Sequence, residues 1–249
     1  MTFLRVWMAA LILLVIFQPW KQKLTKKTLG IIALYGIALG AMNLLFYLAL
    51  QRIPLGITVA LEFTGPLAVA TFSSKRALDL LWVVLAGLGI ILILPHANVS
   101  NGIDTLGVFL ALGAGALWGL YIILAQKVGR SMAGGSATAL GMLFAALTVT
   151  PTAIPQLHFA DYKLQIWVSA FAVAILSSAV PYSLEMIALR SIPSKTFGVL
   201  MSLEPAVAAL MGLFLLSEKL TSLQGLAIFL VMLASAGSSL AVKELRSSS

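Results

Sequence analysis

Apolar residues in this chain come in long unbroken blocks rather than in alternation with polar ones. Residues 2–20, 29–50, 54–74 and 78–94 each form such a block, and residues 105–126, 135–154, 164–189, 194–216 and 221–242 form five more. A block of about 20 apolar residues is the length of helix that crosses the hydrocarbon core of a bilayer. Strands are excluded, because the blocks show no period of two and an open sheet cannot satisfy its edges in lipid. The pattern predicts an all-α integral membrane protein, a multi-helix bundle with nine spans. Between the fourth and fifth blocks lies PHANVSNGID, residues 95–104, whose Pro, Asn, Ser and Gly mark a loop and a natural boundary between two halves.

The two halves repeat each other. A shift of roughly 139 positions sets one internal copy on the other. Residues 53–70, IPLGITVALEFTGPLAVA, then face residues 192–209, IPSKTFGVLMSLEPAVAA, and Ile53/Ile192, Pro54/Pro193, Leu61/Leu200, Pro66/Pro205 and Ala70/Ala209 match. The acids do not repeat, since Glu62 faces Met201 and Glu204 faces Gly65. A repeated frame with unrepeated polar chemistry suits a transporter built from two halves.

Charge placement turns the blocks into a topology. Taken alternately, the loops on one side collect 12 of the 16 basic residues, from Lys21, Lys23, Lys26 and Lys27 to Lys243 and Arg246, leaving Arg5, Arg52, Lys163 and Lys219 on the other. The positive-inside rule puts the basic side in the cytoplasm, so the C-terminus is expected inside and residues 95–104 outside. The first block aligns with the second block of the later half, Pro19 against Pro155. The expectation is therefore a first repeat over residues 1–95 with four helices and one missing at its front. A five-helix second repeat covers 104–242, and a cytoplasmic tail covers 243–249. An odd number of helices per half would invert one repeat relative to the other.

Composition narrows the class further. Of 249 residues 61% are hydrophobic and 10% charged, whereas aqueous domains carry about 25% charged residues. The formal charge of +8 would hint at nucleic acid in a soluble protein. Here it sits in short basic clusters between apolar blocks and serves orientation. The absence of cysteine removes disulfides, thiolate nucleophiles and zinc–thiolate sites. There is no HExxH, GxSxG or GxxxxGK motif, and both histidines, His96 and His158, fall in loops. Nothing in these residues points to an enzyme, a metal or a cofactor.

The candidate chemistry lies inside the spans. An ionisable side chain within a span costs roughly 2.5 to 3.5 kcal/mol on insertion scales, so Glu62, Glu185 and Glu204 are expected to face a cavity or a partner. The alternative for each is an internal ion pair or a hydrogen bond to a neighbouring helix. Arg5 is a possible partner for one of them, or a charge that snorkels to the outer interface. Asn43 is the one strongly polar residue inside the second block. Prolines add polar spots, because each leaves the carbonyl four residues earlier without its helical donor. Pro66 does this to Glu62 and Pro181 to Ser177, with Tyr182 next in sequence and Glu185 one turn onward. Thr58 and Gly65 share a helical stripe with Glu62 and would line a pocket there, one as a donor, the other by leaving room. The small-residue runs LALGAGALWGLY (110–121) and ALGMLFAAL (139–147) would let helices approach closely.

Three stretches also carry a resemblance: PLGITVALEFTGPLAVATFSSKR, LALGAGALWGLYI and ILSSAVPYSLEMIALRSIPSKTFGVLMSLEPAVAAL. They resemble the amino-acid exporters of the EamA family in the drug/metabolite transporter superfamily, over nearly the whole chain. The resemblance implies a multi-pass protein of the bacterial inner membrane with two inverted five-helix EamA-type repeats. It implies a secondary transporter that exports small amino acids such as threonine and homoserine by proton antiport, with alternating access and no cofactor. Its partners would be the amino acid, protons and the bilayer, with no nucleic acid. An exporter of another small metabolite or drug in the same superfamily shares these bulk features and differs only in the residues lining its cavity.

Overall fold

The structure is a computed structural model that describes residues 2–22, 24–72, 77–93, 104–132, 134–156, 163–191, 201, 203–217 and 221–240. Most of the central loop, both histidines, the front of the 194–216 block and the tail lie outside these residues. All regular structure described is helical: α1 (Thr2–Phe17), α2 (Lys26–Leu50), α3 (Leu55–Glu62), α4 (Thr64–Phe72), α5 (Ala77–Ile93), α6 (Thr105–Ser131), α7 (Gly134–Ala153), α8 (Leu164–Ala174), α9 (Val180–Ser191), α10 (Glu204–Leu215) and α11 (Ser222–Leu240). Short 3-10 turns follow α1 and α7, and a π turn, Ile175–Ala179, joins α8 to α9. Counting α3 with α4 and α8 with α9 gives nine spans among the described residues. Lys26–Leu50, Thr105–Arg130, Gly135–Ala153 and Leu164–Leu189 are each long and apolar enough to cross a membrane unaided. Large apolar side chains stand exposed on many helices, among them Leu164 (78%), Leu176 (74%) and Phe214 (74%). Such a surface suits lipid rather than water.

Both helix breaks come just ahead of a proline. The α3/α4 break at Phe63 comes three residues before Pro66, and the π turn ends two residues before Pro181. Proline has no N–H and its ring crowds the carbonyl four residues back. At Pro181 the chain relieves this by widening one turn, with the Val180 N–H donating to the carbonyl of Ile175. Helix starts are capped as the sequence dictates. The Thr25 hydroxyl accepts from the Thr28 N–H at 3.1 Å ahead of α2. Thr221 and Gln224 form a reciprocal capping box ahead of α11, at 2.8 and 3.2 Å. Asp104 caps α6 through the Leu106 N–H at 2.8 Å and pairs with Arg52 at 2.7 Å. The Arg52 hydrogen bond holds this exposed carboxyl below its ordinary value.

The chain gathers into two compact units, Met1–Leu44 with Leu120–Ser191, and Leu45–Gly119 with Ile192–Ser249. In the first, α1 packs on α7 and α8, and α7 on α9. Trp7 donates to the Thr150 hydroxyl at 2.9 Å across the α1/α7 seam. A GxxxG pair on α2, Gly36 and Gly40, lies against Gly141 and Ala145 of α7 so closely that an added methyl would strike backbone. In the second unit α11 packs on α5 and α4, and α10 on α3. A core of Ile53, Ile57, Leu61, Val108, Ala111 and Ile228 fills its middle. Gly115 and Gly119 of α6 meet Gly65 and Val69 of α4. In lipid no hydrophobic force pulls helices together, so this close approach of small residues supplies the association.

Candidate functional site

Arg5 sits three residues into α1, and its guanidinium is drawn into the first unit rather than out to an interface, at 5% exposure. Nη2 donates to Asn43 Oδ1 at 2.6 Å. Nη1 donates to the Ser177 hydroxyl at 2.9 Å and to the Ser177 carbonyl at 3.2 Å. That carbonyl is the one Pro181 leaves without a helical donor, and the π turn aims it at α1. Asn43, from α2, uses its Nδ2 twice, toward the Leu39 carbonyl at 2.9 Å and the Tyr182 hydroxyl at 2.8 Å. Because arginine only donates, the amide can lie only one way round: oxygen toward Arg5, nitrogen toward Leu39 and Tyr182. Hydrogen bonds to a charged group contribute about 1.5 to 3 kcal/mol each. Those on Arg5 together are enough to offset the insertion cost of a charged side chain.

An aromatic wall borders this cluster. Tyr35 of α2 and Tyr121 of α6, both fully buried, stack with ring centroids 5.1 Å apart, and Tyr121 meets Tyr182 edge-on at 6.3 Å. The Tyr35 ring lies over Gly141, where a methyl group would leave it no room. Glu185, three residues after Tyr182 on α9, shares its face and lies within electrostatic range of the Tyr35 and Tyr121 hydroxyls. Arg5, Asn43, Tyr182 and Glu185 therefore belong to one polar region of one unit.

Glu62, Thr58, Gly65 and Pro66 lie in the second unit. Glu62 is the last residue of α3 and is 8% exposed. The Thr58 hydroxyl donates to the carbonyls of Pro54 at 2.9 Å and Ile53 at 3.3 Å, so its proton is spent on its own helix. The room beside Gly65 is filled by the backbone of Gly115, whose own α-carbon backs onto the Glu62 carbonyl, four residues before Pro66. Phe63 and Trp118 meet edge-on at 5.7 Å over the same crossing. Glu204 opens α10 as its first-turn acid and is exposed, a placement that favours the helix dipole. Among the described residues no three His, Cys, Asp or Glu side chains come together to hold a metal.

Ser177, Tyr35 and Tyr121 were not among the expected site residues. Ser177 was signalled by its place four residues before Pro181. Tyr35 and Tyr121 carry no such signal, since an aromatic in an apolar block reads as packing.

Among the described residues the helical spans thus bury an arginine, an amide and a carboxyl, Arg5, Asn43 and Glu62. The family model of the EamA-like transporter family matches residues 105–240. A threonine/homoserine exporter, RhtA, of Escherichia coli strain K12 is 48% identical over 243 residues, covering 98% of this chain and 82% of that protein. The protein of the same name from Salmonella typhimurium strain SL1344 is 48% identical over 97% of this chain and 82% of its own length. A transporter of Bacillus subtilis, YwfM, is 24% identical over 82% of this chain and 71% of its own. A solved crystal structure superimposes with a TM-score of 0.68 over 97% of this chain and 88% of its own, at 16% identity, which speaks to the fold alone. This chain belongs to the EamA-like transporter family. It is a multi-pass inner-membrane transporter, not an enzyme.

Proposed function

We propose that this chain exports small neutral amino acids, threonine and homoserine among them, in exchange for protons by alternating access. The observation that carries the reading is 48% identity over 97% of the chain to a threonine/homoserine exporter. The chemistry agrees, because an amino acid carries a carboxylate that wants a cation and an ammonium that wants an anion, and Arg5 and Glu185 supply one of each. Cells overproducing the protein are expected to tolerate and expel excess threonine and homoserine, while bulky or charged amino acids are retained. Equal intracellular threonine with and without the protein would refute the reading.

The proposal includes two inverted repeats, residues 1–95 and 104–242, followed by the tail 243–249. Asn43 and Tyr182 hydrogen-bond across a separation of 139 positions, the same shift that superimposes residues 53–70 on 192–209. The pair thus joins equivalent points of the two repeats, as residues beside a pseudo-twofold axis do. The matching topology has residues 95–104 outside and the tail inside. Because the chain has no native cysteine, a single Ser100→Cys is expected to react with an impermeant thiol reagent from outside. Labelling from the cytoplasmic face only would overturn both the topology and the inversion.

A further inference from the structure

We propose that the Arg5 guanidinium receives the carboxylate of the transported amino acid, and that the π turn Ile175–Ala179 holds the guanidinium when no amino acid is bound. The inference rests on the reading that the solute is an amino acid. Both terminal nitrogens of Arg5 are engaged by neutral oxygens, Nη2 by Asn43 at 2.6 Å and Nη1 by Ser177 at 2.9 and 3.2 Å. One arm of the fork, Nη2, stays on Asn43 while the other, Nη1, passes from the two Ser177 oxygens to the carboxylate, where a charge-assisted bond is about twice as strong as a neutral one.

The two stand-ins differ in how firmly they are held. The Asn43 amide is pinned by Leu39 and Tyr182. Ser177 is held less firmly: it belongs to a widened turn, it is exposed where Arg5 is buried, and Pro181 leaves its carbonyl without a helical donor. A carboxylate therefore displaces Ser177 and leaves Asn43 in place as the element that keeps the fork oriented. Displacement frees the π turn to repack, which links occupancy of the site to the shape of the span α8–α9.

The test is binding of radiolabelled neutral amino acids to the purified full chain, with threonine and homoserine competed by their carboxamides. The wild type is expected to prefer threonine over threoninamide by about tenfold or more, the scale of a lost charged hydrogen bond. Arg5→Gln should abolish that preference by weakening threonine and not the amide. Should Arg5→Gln fail to fold, Arg5→Lys, which keeps the charge but loses the fork, should show a reduced preference. Ser177→Ala removes a competitor and should bind threonine as tightly as the wild type or several-fold more tightly. A wild type with no carboxylate preference, an Arg5→Lys preference equal to the wild type, or a Ser177→Ala loss as deep as that of Arg5→Gln would overturn the inference alone. Failure of the wild type to bind any amino acid would overturn the functional reading and the inference with it.

Discussion

Glu62→Gln is expected to abolish the pH dependence of amino-acid export while leaving the protein inserted and folded. The carboxyl is 8% exposed at the end of α3, one turn before Pro66, which has no N–H to give the helix. An ionisable side chain buried inside a span is rare and by default marks a proton relay or a substrate pathway. Glutamine keeps the shape and a hydrogen-bonding end but cannot titrate. In vesicles, the variant should therefore move amino acid down its gradient at most, with no response to an imposed pH difference. Normal proton-driven export by Glu62→Gln would reduce Glu62 to a packing role and leave the proton to another carboxyl, Glu185 or Glu204.

Gly65→Ala should unfold or misassemble the second unit. A methyl group on Gly65 would run into the carbonyl oxygen of Gly115 and lie 2.5 Å from its carbon, both backbone atoms that cannot swing aside. The helices must separate, and overpacking of this kind costs about 1 to 3 kcal/mol, occasionally more. Gly115→Ala meets the Glu62 carbonyl from the other side, at 2.5 Å, and should destabilise similarly. Gly87→Ala on α5, with nothing within 4 Å of the new methyl, serves as the control. It should be neutral or stabilising by up to about 1 kcal/mol, the helix preference of alanine over glycine. Thermal melts in detergent read the difference, and equal melting temperatures for Gly65→Ala and Gly87→Ala would mean the crossing is looser than described.

The helices were legible in the sequence because block length sets the spans, and Pro66 and Pro181 marked where their backbones would be disturbed. The form of each disturbance, a break at Phe63 and a π turn at Ile175–Ala179, and the Thr221–Gln224 capping box emerged only in the structure. The site was legible only in part, because its contacts join residues far apart in the chain. That Arg5 would be charged and awkward in lipid is evident from one position. That it would settle on Asn43, 38 residues away, and Ser177, 172 residues away, is not. The stripe of Thr58, Glu62 and Gly65 looked like a pocket lining. In the fold the Thr58 hydroxyl turns back to its own helix, as threonine does beside an available carbonyl, and the space at Gly65 goes to Gly115. Tyr35 and Tyr121 were hidden for a different reason, since an aromatic ring's role depends on which neighbours stack on it.

The most direct test of proton-driven amino-acid export is made with inside-out membrane vesicles containing the protein, in which export becomes inward uptake of labelled threonine. An imposed gradient with the vesicle interior acidic should drive threonine above its external concentration, and collapsing that gradient with a protonophore should release it. Threonine accumulation no greater than in vesicles lacking the protein, with or without the gradient, would contradict the account.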